Sequence, residues 1–419
     1  MLSDYRWEPN RTKMNETMKK RILFVDDEPM VLKGLQRTLR KMRDIWDMTF
    51  TPSAEEALAI LDHHPMDVII SDMKMPQMDG TQLLAKVKQR HPHVVRLILS
   101  GHVEQDTTIK SVQFAHQCLS KPCDVEVLKQ TLAKLFALRD ILSDNAIKKI
   151  VSQIESLPSL PSIYTEIMAE IQSADPSIKN VGAIIAKDVS MTAKILQVVN
   201  SVFFGLPKKI SNPQQAVMLL GLETIKSLVL SVKIFSEFSQ TKYSWFNMDA
   251  IFQHSISVSA HAKAIVKSEK MDQDLINYSL MAGLLHDLGK LILATNFNDT
   301  YRQVQTEAQH SEQQLWKLEH QTFGTSHAEI GAYLMGLWNL ENPIIEAIAF
   351  HHSPGKSVAS RVGLLTAVHV ANALEHEEDR FQDPESDLRY DHEYLNRLGV
   401  SNRISEWRRV CVEYAERNA

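Results

Sequence analysis

The chain has 419 residues, enough for two or three domains that each bury a core. Apolar residues make up 44% and charged residues 23%, an ordinary globular balance, and a formal net charge of -5 argues against a broad nucleic-acid-binding face. Cys118, Cys123 and Cys411 are too scattered for a disulfide framework or a thiolate zinc cluster, and no apolar run reaches the about 18 residues of a membrane helix.

Residues 1–20 are polar and lack the apolar centre of a signal peptide. They read as a flexible extension, or as a start placed too early, since Met14 and Met18 follow; the expected compartment is the cytoplasm. From Arg21 the runs RILFVDD, DMTFT, DVIISD, RLILSG and QCLSK carry a strand signature. Segments of helical spacing separate or follow them, beginning near Pro29, Ser53, Asp79, Val103 and Asp124, and Ser53 with Glu56 has the form of a capping box. Alternation of this kind implies a doubly wound α/β unit with a parallel sheet covered on both faces, its functional groups at the carboxyl ends of the strands.

The apolar spacing from Asp124 to Glu155 fits either one long helix or two helices with a short link. Unbroken, it would span about 45 Å and could transmit movement or support a homodimer. After Leu157 there is no convincing strand run, so an all-α unit is expected; Glu375–Asp387 reads as an exposed acidic loop and the last residues as one or two small helices.

Three carboxylates stand at predicted strand ends: Asp26 and Asp27 after the first, Asp72 after the third. Ser100 ends the fourth and Lys121 the fifth, so one sheet edge gathers them all. Clustered carboxylates need a cation, which implies Mg²⁺ with oxygen ligands. With Mg²⁺ and the Lys121 ammonium neutralising phosphoryl oxygens, a carboxylate can act as nucleophile and form an acyl phosphate. Lys121-Pro122 is a candidate cis peptide that would aim the lysine inward.

VDDEP, SDMKMPQMDG, LILSGH and LSKP resemble the response-regulator receiver family across about 120 residues. The resemblance implies that Asp72 is the phosphoacceptor and that Asp26 and Asp27 form the acidic pair, with Asp27 a direct Mg²⁺ ligand. It also implies a backbone ligand from Lys74 and switch roles for Ser100 and Lys121. The aromatic residue that this family often carries three positions before the lysine is replaced by Cys118. Phosphorylation by a histidine kinase or phosphotransfer protein is the expectation.

In the second half, His254 lies in a helical stretch, His286 and Asp287 are adjacent in GLLHDLGKL, His327 opens HAEIGAYL, and His351-His352 follow an apolar run. Histidines and an aspartate on neighbouring helices are what a bundle uses to hold one or two transition metals with an activated water. This pattern resembles the HD superfamily of metal-dependent phosphohydrolases, including the HD-GYP cyclic di-GMP phosphodiesterases. The resemblance implies His254, His286, Asp287, His327, His351 and His352 as ligands for Fe or Mn, and Lys290 as a phosphate binder. Two departures stand against catalysis: SPGKSVAS lacks the Gly-Tyr-Pro signature, and VHVANAL offers His369 and Asn372 where those enzymes use an aspartate.

LPSLPSIYTEI, IIAKDVSMTAKILQVVNSVFFG, ISNPQQAVMLLGLETIKSLVL and HDLGK resemble the HDOD domain, a helical module related to HD enzymes. The expected organisation is an extension (1–20), a receiver (21–139), a helical linker (140–155) and an HDOD output unit with a C-terminal extension (156–419). Two functions follow from the resemblances. In the first, Asp72 phosphorylation alters how a non-catalytic output unit engages a downstream signalling protein, for which a cyclic di-GMP enzyme is one candidate. In the second, the receiver gates a metal-dependent phosphodiesterase. A transcription factor is disfavoured, since no basic recognition helix follows the receiver.

Overall fold

The computed structural model describes residues 19–101, 114–121, 125–129, 131–132, 136, 150, 161–173, 175–200, 210–238, 245–311, 313–375 and 389–418. The chain divides into two compact units, one of residues 1–160 together with Gly336–Asn339, the other of Pro161–Met335 and Leu340–Ala419.

In the first unit β1 (Lys20–Val25), β2 (Trp46–Thr51), β3 (Val68–Asp72), β4 (Val95–Gly101) and β5 (Gln117–Lys121) form one sheet in the order β2-β1-β3-β4-β5. Every pairing is parallel. The central strands are buried on both faces, from Ile22 to Val25 and from Val68 to Asp72, which is why they read as continuous apolar runs rather than as alternation. Helices α1 (Pro29–Thr38), α2 (Ala54–His63) and α3 (Gly80–Arg90) bear the connections. Ala57, Leu58 and Leu61 of α2 join Leu83, Leu84 and Val87 of α3 in a core with Leu23, Ile69 and Ile98 from the sheet.

The capping box expected at Ser53 is only half formed. Ser53 Oγ accepts from the Glu56 amide at 3.2 Å, but the Glu56 carboxylate takes the Thr51 hydroxyl instead of the Ser53 amide. Thr51 ends a buried strand, and its hydroxyl outcompetes the local backbone for that carboxylate. The reciprocal box stands at α3, where Asp79 accepts from the Gln82 amide at 2.7 Å and the Gln82 side chain accepts from the Asp79 amide at 3.2 Å. The helix expected near Val103, the Lys121-Pro122 peptide, most of Asp124–Glu155 and residues 376–388 of the acidic loop lie outside the described residues.

Among the described residues of the second unit, the regular elements are helices. Its centre is the helix Met248–Ser268, with Ser255, Ser257, Ser259, Ala260, Ala262 and Ala264 buried along it. Small side chains allow close helix approach: a Cβ on Gly283 of the helix Gln273–Leu285 would lie 2.4 Å from the Ser259 Cα. Leu364 to Leu374 of the helix Leu364–Glu375 are buried without interruption. Asn247, Asp272, Asp188 and Asn212 cap their helices by accepting from backbone amides three residues on. The end of the chain forms the helices His392–Arg397 and Ile404–Asn418. No helix among the described residues is long and apolar enough to cross a membrane.

Candidate functional site

Two side-chain clusters carry chemistry, one in each unit. The first lies at the carboxyl edge of the sheet. Asp26 and Asp27 follow β1, Asp72 ends β3 and Lys121 ends β5; carboxylate oxygens of the three aspartates come within 4.8 Å of one another. The Lys121 ammonium pairs with Asp26 at 2.9 Å and also with Asp72. Asp26 is further held by the Glu28 amide, which donates at 3.0 Å.

Burial raises the Asp72 carboxyl above the usual range; Lys121 opposes this, while the Asp26 charge adds to it. For Lys121 burial works downward, but hydrogen bonds to Asp72 and Asp26 outweigh it and raise the ammonium. Lys74 is exposed in the loop between β3 and α3. Ser100 lies in β4 beside β5, paired in register with Ser120; its side chain, like that of Cys118, falls outside the described groups.

That loop depends on Gly80, whose amide donates to the Met73 carbonyl at 2.8 Å. A Cβ there would lie 2.0 Å from the Asp72 carbonyl oxygen.

The second cluster is built from helix ends. His286 and Asp287 form the junction between the helices Gln273–Leu285 and Leu288–Asn296, His327 starts the helix His327–Leu337, and His351 caps the helix Asn342–Phe350. His254 comes from inside the central helix. All six expected ligands converge: Asp287, His327, His351 and His352 form one group, and His254, His286 and Asp287 a second that shares the aspartate. Lys290, the expected phosphate binder, has its ammonium 2.6 Å from Asp287 Oδ2.

The histidine tautomers follow from their outer partners. His286 Nδ1 donates to the Gly283 carbonyl at 2.8 Å and His351 Nδ1 to the Ile348 carbonyl at 2.7 Å. This leaves both Nε2 lone pairs facing inward, buried and without a hydrogen-bond partner. His327 Nδ1 meets Glu319 Oε2 at 2.6 Å, and its Nε2 lies 3.2 Å from Asp287 Oδ1 and 3.0 Å from His352 Nε2.

Burial lowers His286 to about 3 and holds His351 and His352 well below the usual imidazole value, so all three are neutral donors near pH 7. Burial works against the charge of Asp287, yet His286, Lys290 and His327 keep its carboxyl well below the ordinary range. His327 is the exception among the histidines: burial would lower it, but Glu319 and Asp287 raise it. Neutral imidazoles with buried, unused lone pairs around one ionised carboxylate fit a transition metal ion.

Glu319 was not among the expected residues. It is fully buried and accepts from the His327 amide at 2.8 Å, from the His327 ring and from the Tyr301 hydroxyl at 2.8 Å. This is the carboxylate–histidine arrangement that orients metal-binding imidazoles. Only its position eight residues before His327 hinted at it, and helical spacing alone does not single that out. His369 is turned away from the cluster: its Nδ1 donates to the His351 carbonyl at 2.7 Å and its Nε2 accepts from the Asp391 amide at 3.0 Å. Asn372 faces it, with Oδ1 3.0 Å from His254 Nε2.

Comparison with known proteins agrees with this division. The family model for the response regulator receiver domain matches residues 22–133, and that for the HDOD domain matches residues 157–354. The chain is 29% identical over 276 residues to an uncharacterized protein of Treponema pallidum (strain Nichols), covering 64% of this chain and 48% of that protein. It is 30% identical over 129 residues to the response regulator protein PilR of Pseudomonas aeruginosa, covering 30% of this chain and 28% of that protein. The chain thus spans less than half the length of these curated relatives. A solved structure from Shewanella amazonensis, described provisionally as a phosphohydrolase, shares the fold with a TM-score of 0.51 at 17% identity, covering 66% of this chain and all of that one. With the parallel sheet, the aspartate cluster at its edge and the helical unit beyond Pro161, these matches assign the chain to the response regulators that join a receiver domain to an HDOD domain.

Proposed function

We propose that Asp72 accepts a phosphoryl group from a histidine kinase or phosphotransfer partner, and that this changes how the HDOD unit binds another signalling protein. The observation that carries the reading is the meeting of Asp26, Asp27, Asp72 and Lys121 at one sheet edge. An Asp72 oxygen would attack phosphorus as the bond to the donor's imidazole nitrogen breaks, and Lys121 would exchange its Asp72 contact for the new phosphoryl oxygens. Asp26, Asp27, Asp72 and the Lys74 carbonyl are the proposed holders of Mg²⁺, which would supply charge neutralisation. Ser100 is the proposed hydrogen-bond donor to the phosphoryl group.

Purified full-length protein treated with a small phosphodonor and Mg²⁺ should take up one phosphoryl group, and Asp72→Ala should take up none. The set of proteins it captures should change with phosphorylation in wild type only. Identical capture in all states would remove the proposed link between Asp72 and the output.

The second cluster favours an additional reading, a receiver-gated metal-dependent phosphodiesterase acting on cyclic di-GMP or another nucleotide. Its support is the convergence of six ligand-type side chains with the buried Nε2 atoms of His286 and His351 unsatisfied. Asp287, His327, His351 and His352, with His286 beside them, would hold Fe or Mn, which supplies Lewis acidity and an activated water. Metal analysis tests this: copurifying Fe or Mn should disappear in His327→Ala, and with it any cyclic di-GMP hydrolysis.

A further inference from the structure

The two oxygens of Asp287 face different surroundings. Oδ1 lies 3.2 Å from His327 Nε2 and 3.9 Å from His351 Nε2. Oδ2 lies 2.6 Å from the Lys290 ammonium, 3.5 Å from His286 Nε2 and 3.7 Å from His254 Nε2. The Oδ2 side therefore already holds a cation, supplied by the chain.

His254 reinforces the asymmetry. Its Nε2 lies 3.0 Å from Asn372 Oδ1, an amide oxygen that only accepts, so Nε2 carries the proton and has no lone pair to offer. An aspartate at position 372 would instead add a negative charge on this side. With Asn372 neutral, the carboxylate in the group of His254, His286 and Asp287 is Asp287, already paired with Lys290. A divalent ion there would face an ammonium with no added anion to compensate.

We propose that this cluster is a one-ion site: a single divalent metal binds on the Oδ1 side between Asp287, His327, His351 and His352, and Lys290 stands permanently in the place of a second ion. The inference deepens the metal-dependent reading above and rests on it. Lys290 becomes a positioning residue that fixes Asp287 and sets the stoichiometry, rather than a phosphate ligand. Asn372 becomes the residue that keeps His254 out of the coordination set.

The test is Mn²⁺ binding to demetallated full-length protein, read by equilibrium dialysis with elemental analysis and by electron paramagnetic resonance. Wild type should bind one Mn²⁺ per chain and give the spectrum of isolated ions. The double variant Lys290→Met with Asn372→Asp, checked for folding by circular dichroism, should bind two and show exchange coupling, the second ion at least tenfold tighter than any second ion in wild type. Two tight ions in wild type would overturn the inference and leave the metal-dependent reading standing. A folded double variant that still takes one ion would likewise overturn the role of Lys290 and Asn372. Wild type without any bound Mn²⁺ would sink both readings together.

Discussion

The ammonium of Lys121 bridges two carboxylates that otherwise repel each other across the sheet edge. Burial already raises Asp72 and the Asp26 charge adds to this, with Lys121 the chief opposing influence. Removing the ammonium therefore moves the Asp72 carboxyl further upward, so less of it is ionised at a given acidic pH. In Lys121→Met, the acidic limb of the phosphorylation rate, measured with a small phosphodonor across pH, should shift to higher pH. Some phosphorylation should persist near neutrality while partner capture no longer responds to it. An unshifted profile would mean that Lys121 does not set the ionisation of Asp72. In the other cluster Glu319 plays a comparable part, since it fixes which nitrogen of His327 faces inward. Glu319→Gln keeps the shape but loses the charge, and outer partners of this kind affect metal affinity by about 10- to 100-fold. Mn²⁺ affinity should fall within that range while the circular dichroism spectrum stays unchanged; an equal affinity would reduce Glu319 to a packing role.

At the scale of elements, both clusters depend on glycines that let a helix start against the backbone of a functional residue. A Cβ on Gly289 would lie 1.9 Å from the His327 carbonyl oxygen, and one on Gly80 at 2.0 Å from that of Asp72. The obstacle in each case is backbone, which does not rotate away. Gly289→Ala should cost about 1–3 kcal/mol, the usual penalty of overpacking, and weaken Mn²⁺ binding, whereas Gly34→Ala, on an open face of α1, should do neither. Thermal melting and metal titration of the two variants separate a local clash from a general intolerance of alanine. The same contrast explains how much of the molecule was legible in its sequence. The central strands were readable because they are buried on both faces, and the strand-end positions of Asp26, Asp72 and Lys121 followed once the sheet was parallel. The six donors of the second cluster were readable as residue types near helix ends. Of their outer partners, Asn372 was legible only as one of two residues standing where the related enzymes use an aspartate, and Glu319 not at all, since it belongs to another helix and only tertiary packing brings it to His327. The ion pair between Lys290 and Asp287 was not legible either, because sequence shows a lysine one turn from Asp287 without showing which way it folds back. The Ser53 box failed for a related reason, a competitor on the preceding strand.

Over the whole molecule, buried imidazoles are lowered in both units, and they dominate the response to acid in the helical one. Burial and the Arg96 guanidinium hold His116 well below its ordinary value in the receiver unit. In the helical unit burial lowers His261 to about 4 and His286 to about 3, and also lowers His254, His351, His352 and His369. His369 shows why: one ring nitrogen donates and the other accepts, so a second proton would break the bond from the Asp391 amide. A histidine lowered by folding takes up its proton in the unfolded chain first. Between its unfolded value near 6.5 and its folded value the unfolded state binds more protons, so stability falls as pH falls through that window. At pH 5 the loss is about 2 kcal/mol for each imidazole whose folded value lies well under 5. His327 in the helical unit and Asp72 in the receiver unit, both raised by folding, have the opposite sign, two groups against seven. The depressed carboxyls of Asp287 and Glu329 lose their contribution only at pH below their unfolded values of 3.8 and 4.5, outside the range between pH 5 and 7. The helical unit of the full-length protein in a chelator, which removes metal release from the signal, should therefore melt several degrees lower at pH 5 than at pH 7. A melting temperature that is flat or rises on acidification would contradict the burial of these imidazoles in their neutral form.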